Sequence, residues 1–418
     1  MDAREATLAI IDVLSSAGDH APAFRLWDGH RVGRDDAPAT IVLRHPGSLR
    51  ALLLPPSDLA AGEAYVYDDV DIEGDIFSLL DFGFEFALGT ARSTALSLFR
   101  LARKLPRQNR KSVGKRPRIR GRLHSLDRDR RDIRYHYDVG DGFYRQFLDP
   151  SMVYSSAAFL DPSEPLEVAQ RRKLDTICRK LELHPGQRLL DVGCGWGALV
   201  VHAARTYGVQ AVGITLSSNQ AAHARDLAVR LGVEDRVTIL EQDYRQVAGI
   251  FDAIASVGMF EHVGRRKMGA YFGRLRRLLA DGGVLLNHGI GTRDRGRKRH
   301  KATFVSTYVF PDGELLPVDE VVGIAEAAGF ELRDLESLRT SYALTLRRWV
   351  ANLESNRAAA VAAADDATYR IWRAFMAGSA LSFERARIGV YQLLLADPVR
   401  SWTYGRAWTI AGDHDRRA

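Results

Sequence analysis

Cysteine is almost absent from this chain: Cys178 and Cys194 are the only two in 418 residues. Two cysteines cannot build a disulfide framework, and their positions have no metal-ligand spacing. A stapled secreted scaffold and a structural zinc centre are therefore both excluded from the expected classes, and no metal is predicted. Long hydrophobic runs are also missing, since no apolar stretch approaches the roughly 18 residues read as a membrane-spanning helix. Internal repeats are lacking, and low complexity is confined to the alanine-rich stretch Ala358–Ala364. The first residues, MDAREATLAIIDVL, carry acids where a signal peptide would be basic. The expectation is a chain kept in the reducing cytoplasm.

What is present is ordinary in bulk and uneven in detail. Hydrophobic residues make up 46% and charged residues 27%, the balance of a globular protein with a sizeable core. The length suggests two or three structural units. The net charge of +7 hides an asymmetry: Arg100–Arg131 holds fourteen Lys or Arg against Asp127 and Asp129, leaving the rest of the chain mildly acidic. A second basic cluster runs from Arg293 to Lys301. Such runs bind anionic surfaces, either nucleic acid through its phosphates or the headgroups of a membrane, or serve as a solvated linker. Charge alone does not choose between them.

The hydrophobic pattern divides the chain. Residues 1–99 read as a small α/β domain, with a helix over Ala6–Ser16, strand-like runs at Phe24 and Ala39, and turn-rich segments at Gly62–Tyr67 and Val70–Ile76. Its last part, from Ile76 onward, is a mostly apolar helical stretch interrupted by Gly83 and Gly89. Two readings of that stretch stay open: a helix that packs within its domain, which is favoured, and an interfacial segment with its apolar face toward lipid and the basic run toward headgroups. Residues 100–131 form the basic linker. From 132 to about 340, short apolar runs at Arg188, Val209, Val237, Phe251 and Gly283 alternate with helical patterns, which predicts a doubly wound, mostly parallel sheet. From Ser341 the pattern looks mainly helical, with Trp349, Trp372, Phe375, Phe383 and Tyr391 on apolar faces.

The chemistry concentrates at strand ends. Asp191-Val-Gly-Cys-Gly-Trp-Gly197 closes one strand and opens a helix, and its glycines let backbone approach a ligand. A glycine loop by itself does not separate dinucleotide from nucleoside ligands. The D-x-G-x-G-x-G form suits S-adenosylmethionine, which has no pyrophosphate. About 20 residues on, where a ribose-binding side chain is expected, Gly213–Gln220 offers Thr215 and Gln220 instead of an acid. At the third strand end, Asp243, followed by Tyr244, is placed to meet an adenine amine. These three turns predict a class I, Rossmann-like methyltransferase core.

Longer segments carry a family resemblance: Arg134-Tyr-His-Tyr-Asp-Val-Gly-Asp-Gly-Phe-Tyr144, Met152-Val-Tyr-Ser-Ser-Ala157, Ser256-Val-Gly-Met-Phe-Glu-His-Val-Gly264, His288-Gly-Ile-Gly291 and Tyr342-Ala-Leu-Thr-Leu-Arg-Arg-Trp349. On these the chain resembles the cyclopropane-fatty-acyl-phospholipid synthases and mycolic acid cyclopropane synthases, over about residues 35 to 400. The resemblance implies a methyltransferase domain over 132–418 with C-terminal acyl-binding helices, acting on cis-unsaturated phospholipid acyl chains from the inner face of the membrane. It implies S-adenosylmethionine as methyl donor and a bound bicarbonate ion as base. It assigns Glu261, His288 and Tyr342 to the bicarbonate, with Ile290 as a backbone contributor. His288 and Tyr342 can donate to the anion, and Glu261 can accept its hydroxyl proton. Tyr154, Ser155, Gly193, Gly195, Thr215, Leu216 and Gln220 match cofactor contacts. His136 and Tyr137 fall in a segment expected to close over the cofactor. Pairing into a homodimer is compatible with this family.

Ser156 departs from the pattern, standing where ring-forming members carry cysteine. A serine can still hydrogen-bond bicarbonate. It is shared with relatives that methylate the same alkene to a 10-methylene chain, which a flavin-dependent reductase then converts to a 10-methyl branch. Glu261-His262 resembles the ring-forming type, and the reading leans to cyclopropane. Ser379 likewise replaces a cysteine found in some members, so no thiol chemistry is assigned there. An RNA methyltransferase using the basic run on phosphates is disfavoured, because no Asn-Pro-Pro-Tyr-type tetrapeptide is present. A small-molecule methyltransferase with a scaffolding N-terminal domain is the remaining alternative.

Overall fold

The computed structural model describes residues 1–16, 18, 20–107, 128, 139–295 and 302–401. Most of the basic linker, His136 and Tyr137, and the centre of the second basic cluster lie outside the described residues. The chain divides into two compact units, Met1–Arg118 with Lys298–Pro311 and Leu353–Leu381, and Ile119–Arg297 with Asp312–Asn352 and Ser382–Ala418. The units are thus discontinuous, unlike the consecutive 1–99, 100–131 and 132–418 division read from sequence.

The first unit is built on four short strands, β1 (Ala23–Arg25), β2 (Arg31–Val32), β3 (Ala39–Leu43) and β4 (Val70–Gly74), in the order β2-β1-β3-β4. Helix Ala3–Ser15 opens on a capping box between Asp2 and Glu5 and buries Ala6, Ile10, Ile11 and Leu14, the 3.6-residue stripe of an amphipathic helix. Gly62–Val66 is helical, the end of Asp58–Val66, with Tyr67 capping it. The apolar stretch forms two helices, Ile76–Gly89 and Arg92–Lys104, broken at extended Thr90 and Ala91. Gly83 is accommodated inside the first of them.

The segment 353–381 belongs to this unit because charge fixes it there. Arg370 donates to the Tyr65 carbonyl at 3.0 Å, to Asp68 at 3.0 Å and to Asp366 at 2.6 Å. Arg373 reaches Glu354 at 2.7 Å and the Tyr65 hydroxyl at 3.0 Å. Both guanidiniums are buried, so these partners are what make their burial tolerable. Trp372 and Phe375 are buried as core residues here, so this stretch clusters with the N-terminal unit rather than with the domain expected to carry acyl-binding helices.

The second unit holds seven strands: β5 (Arg188–Val192), β6 (Gln210–Thr215), β7 (Val237–Glu241), β8 (Phe251–Val257), β9 (Leu279–Thr292), β10 (Glu331–Ser337) and β11 (Ile388–Ala396). They lie in the order β10-β11-β9-β8-β5-β6-β7. Strands β5 to β9 pair in parallel, as expected, while β11 pairs antiparallel with both β9 and β10. The mainly helical reading of the C-terminus therefore misses β11, and β10 was not read as a strand. Strand order reverses between β5 and β8, which is where such sheets open a ligand crevice.

Candidate active site

The crevice forms where the sheet topology calls for it. Beyond β5 the loop turns through Gly193, Gly195 and Gly197, all at positive φ (85°, 54° and 89°), before helix Ala198–Tyr207 begins. A side chain at any of these would be strained in that conformation. One cavity of the second unit is lined by Tyr154, Ser155, Asp191, Gly193, Gly195, Thr215, Leu216, Gln220, Asp243 and Tyr244. All ten residues assigned to the cofactor therefore share a wall of the same site.

Their electrostatics suit a cationic nucleoside. Asp191 is buried with Oδ1 unpartnered, and burial raises its carboxyl to about 7 against the pull of the Lys173 charge. An ammonium or sulfonium centre would relieve that orphaned oxygen, so the donor set fits S-adenosylmethionine. Thr215 accepts from the Ser217 N–H at 3.2 Å and donates to Gln220 Oε1 at 2.8 Å, leaving the Gln220 NH2 as the donor of the pair. Asp243 accepts from the Arg245 backbone at 2.9 Å and from its guanidinium Nε and Nη2 at 2.7 Å each. Its carboxylate is thus held rigidly at the strand end.

The second group of assigned residues lies beside this cavity. Glu261 follows Phe260 in a short turn of 3-10 helix, Phe260–His262, and the next residue, His262, lines the cavity. Phe260 packs so closely on β9 that a Cβ at Gly289 would fall 1.8 Å from its ring. That approach lets Glu261 Oε1 accept the Ile290 N–H at 2.7 Å. Ile290 therefore orients the carboxylate, because its only backbone hydrogen is already committed. Glu261 Oε2 is buried without a partner, and burial raises this carboxyl above its usual range, the Ile290 hydrogen bond opposing. His288, two residues before Ile290 on β9, pairs in register with cavity-lining Val257. Its Nε2 is buried and unpartnered, and burial together with the charges of Lys173 and Lys180 lowers its pKa to about 3. A neutral imidazole nitrogen and a carboxyl oxygen, both unsatisfied, fit a protonated oxyanion such as bicarbonate.

Ser156 follows cavity-lining Ser155, and Tyr342 lies on helix Arg339–Ser355. Ser156 is buried and donates to the Ala157 carbonyl at 2.9 Å, so its lone pairs remain as acceptors. The Ala157 N–H donates to Thr345 Oγ1 at 3.0 Å, one turn from Tyr342 on helix Arg339–Ser355. Rings then run from the glycine loop to Tyr342: Trp196 to Tyr144 at 4.9 Å, Tyr144 to Tyr154 at 5.4 Å, Tyr154 to Trp349 at 5.2 Å and Trp349 to Tyr342 at 6.1 Å. Phe383 closes on Tyr342 at 4.7 Å. Hydrogen bonds tie Glu261 to Ile290 and the Ser156 segment to the Tyr342 helix.

Residues 124–393 match the family model described as mycolic acid cyclopropane synthetase. The chain belongs to that family. It is 36% identical over 396 residues to a probable fatty acid methyltransferase of Pseudomonas putida, covering 93% of this chain and 95% of that protein. It is 36% identical over 273 residues to cyclopropane mycolic acid synthase 1 of Mycobacterium tuberculosis, covering 62% of this chain and 95% of that one. Among solved structures it resembles mycolic acid cyclopropane synthase CmaA1 complexed with SAH and CTAB, with a TM-score of 0.61 and 35% identity over 64% of this chain and 98% of that chain. The fold, the glycine loop and these relatives make it an S-adenosylmethionine-dependent methyltransferase of the cyclopropane synthetase family.

One residue of this synthetase-family site was missed from sequence. Lys173 lines the cavity, is fully buried, and donates to Ser155 Oγ at 3.0 Å. Burial lowers its pKa to about 8, with Asp149 and Asp191 opposing. The signal was there: helix Leu166–Lys180 buries Leu166, Ala169, Gln170, Lys173, Leu174 and Ile177, so Gln170 and Lys173 occupy its apolar stripe. Gln170 donates to the Ser155 carbonyl at 2.9 Å, so both polar intruders hold the Tyr154-Ser155 segment.

Proposed function

We propose that this enzyme methylates the cis double bond of an unsaturated phospholipid acyl chain and closes the product to a cyclopropane. The observation that carries this reading is the pair of buried, unsatisfied groups, Glu261 Oε2 and His288 Nε2, beside the cofactor cavity and near a largely aromatic wall. S-adenosylmethionine would supply an electrophilic methyl to the alkene, and bicarbonate would accept the proton whose loss closes the ring. Glu261 and His288 would hold that anion from two sides, with Tyr342 and Ser156 as further hydrogen-bonding groups. Because the imidazole is neutral at working pH, it donates without introducing a second buried cation. The aromatic wall excludes water, which would otherwise trap a carbocation formed on the acyl chain.

Membrane attachment is assigned to the first unit. Leu88, Leu96 and Phe99 are 71%, 48% and 41% exposed on the two helices that follow β4, with Arg92, Arg100, Arg103 and Lys104 alongside. Apolar side chains flanked by cations complement an anionic bilayer surface. Among the described residues no helix is long and apolar enough to cross a membrane. Co-sedimentation with phosphatidylglycerol vesicles, falling with salt but leaving an apolar residue, is the expected result; RNA binding in its place would overturn this assignment.

The deciding experiment is product analysis after incubation with S-adenosylmethionine and vesicles carrying a cis-monounsaturated chain. High-field ring protons in the NMR spectrum of the recovered methyl esters are expected. Exocyclic vinylidene protons would refute ring closure, and an unmodified chain would refute the lipid reading altogether.

A further inference from the structure

We propose that Gln392, oriented by Lys180, locks His288 in the Nε2–H tautomer and so makes it a permanent hydrogen-bond donor toward the reaction site. This rests on the reading that His288 acts in the proposed reaction. His288 on β9, Gln392 on β11 and Glu336 on β10 are directly opposite one another in register, forming a row across three strands. Directly opposed residues present side chains on one face. Over that row lies the end of helix Leu166–Lys180, whose Lys180 ammonium donates to Gln392 Oε1 at 2.9 Å, ion-pairs with Glu336 and lies 3.5 Å from Asp334. Gln392 Nε2 stands 3.2 Å from His288 Nδ1.

Donor and acceptor roles then follow from chemistry alone. An ammonium has only hydrogens to offer, so the atom facing it is the Gln392 oxygen. The opposite end of the amide is then NH2, which can only donate. His288 Nδ1 must accept, and the single ring proton resides on Nε2, the atom left buried and unpartnered. Lys180 and Gln392 are both almost completely buried, so water cannot substitute for either partner. They are positioning residues: neither lines the cofactor cavity, and both act through the imidazole.

The test uses the full chain labelled with 15N-histidine, taking the resonances lost in His288→Gln as those of His288. The wild type is expected to show an unprotonated Nδ1 and a protonated Nε2, unchanged between pH 6 and 8. In Gln392→Glu a carboxylate oxygen would face Nδ1 and require a proton there, so the tautomer should exchange. Turnover should then fall by about 100-fold, the order of loss when one preorganised donor is removed, with S-adenosylmethionine affinity unchanged. Gln392→Met, which is uncharged and similar in size, should give mixed tautomers and a smaller loss; it keeps the question answerable should the carboxylate variant fail to fold. A wild-type spectrum with the proton on Nδ1 would overturn the proposal, as would a tautomer exchange that leaves turnover unchanged. Full turnover in His288→Gln would overturn the role of His288 itself, and differs from the other outcomes because the wild-type spectrum would still read Nε2–H.

Discussion

Replacing Glu261 by Gln isolates what the carboxylate does. In the native site Oε1 accepts the Ile290 N–H at 2.7 Å and Oε2 is buried and unpartnered. A glutamine keeps the bond to Ile290 through its carbonyl oxygen and puts NH2 where Oε2 was. Shape is retained, but a buried hydrogen-bond acceptor becomes a donor. A misdirected preorganised group costs about 100- to 1,000-fold in turnover, or roughly 3–4 kcal/mol of barrier. Glu261 is not among the cavity-lining residues, so cofactor affinity should stay within a factor of two or so of wild type on ordinary additivity grounds. Stability should move the other way. The folded-state pKa of Glu261 is raised, so its burial costs nothing below the unfolded pKa and the cost grows as pH rises through that value. Removing the charge should therefore leave Tm at pH 8 equal or higher. Initial rates on lipid vesicles, calorimetric titration with S-adenosylhomocysteine and thermal melts at pH 5 and pH 8 read the three quantities. Turnover within tenfold of wild type would refute the assignment, and a lost cofactor affinity would show that Glu261 belongs to the other half of the site.

Asp191→Asn should weaken S-adenosylmethionine binding by about 10-fold or more, the scale of one charge-assisted contact. Wild-type affinity should itself fall as pH drops through about 7, where the Asp191 carboxylate takes up its proton; an affinity flat from pH 8 to 6 would contradict this. Lys173→Met leaves Ser155 Oγ without its donor and removes the charge that opposes the burial of Asp149 and Asp191, and should cost about 1–3 kcal/mol in chemical denaturation, the usual penalty for leaving a buried polar group unsatisfied. Because the Lys173 pKa is lowered, the unfolded chain binds its proton more readily, so wild-type stability gains a contribution as pH rises from about 8 toward the unfolded lysine value. Arg370→Met breaks a buried ion-pair network and should destabilise the first unit by about 3–5 kcal/mol while leaving cofactor affinity intact, since all of its partners lie in that unit.

Much of the site was legible because its chemistry is local. The glycine loop, the Thr215–Gln220 turn and the Asp243 strand end each sit within a few residues of a strand whose pattern is strong, and the sheet order carries all three to one crevice. Glu261 and His288 were placed by family resemblance, not by spacing, and the structure adds that their free atoms are Oε2 and Nε2. Strand β10 was hidden by its charges, Glu331, Arg333, Asp334 and Glu336, which suit a sheet edge and show little apolar alternation. Strand β11 was hidden by distance: its apolar run follows long helices and finds its partner β9 about a hundred residues back in the chain.

The amino-acid sequence by itself determined the parallel sheet and the nucleoside loop, because periodicity and turn chemistry act over a few residues, while family resemblance named Glu261 and His288 as candidate groups. Tertiary structure alone decided how those groups are held. Gln392 meets His288 only through the antiparallel return of β11, Lys180 reaches Gln392 only because a helix ends over that row, and Phe260 can press on β9 only where Gly289 leaves room. Proton positions and unsatisfied atoms depend on partners brought together from distant parts of the chain, and no local pattern records them.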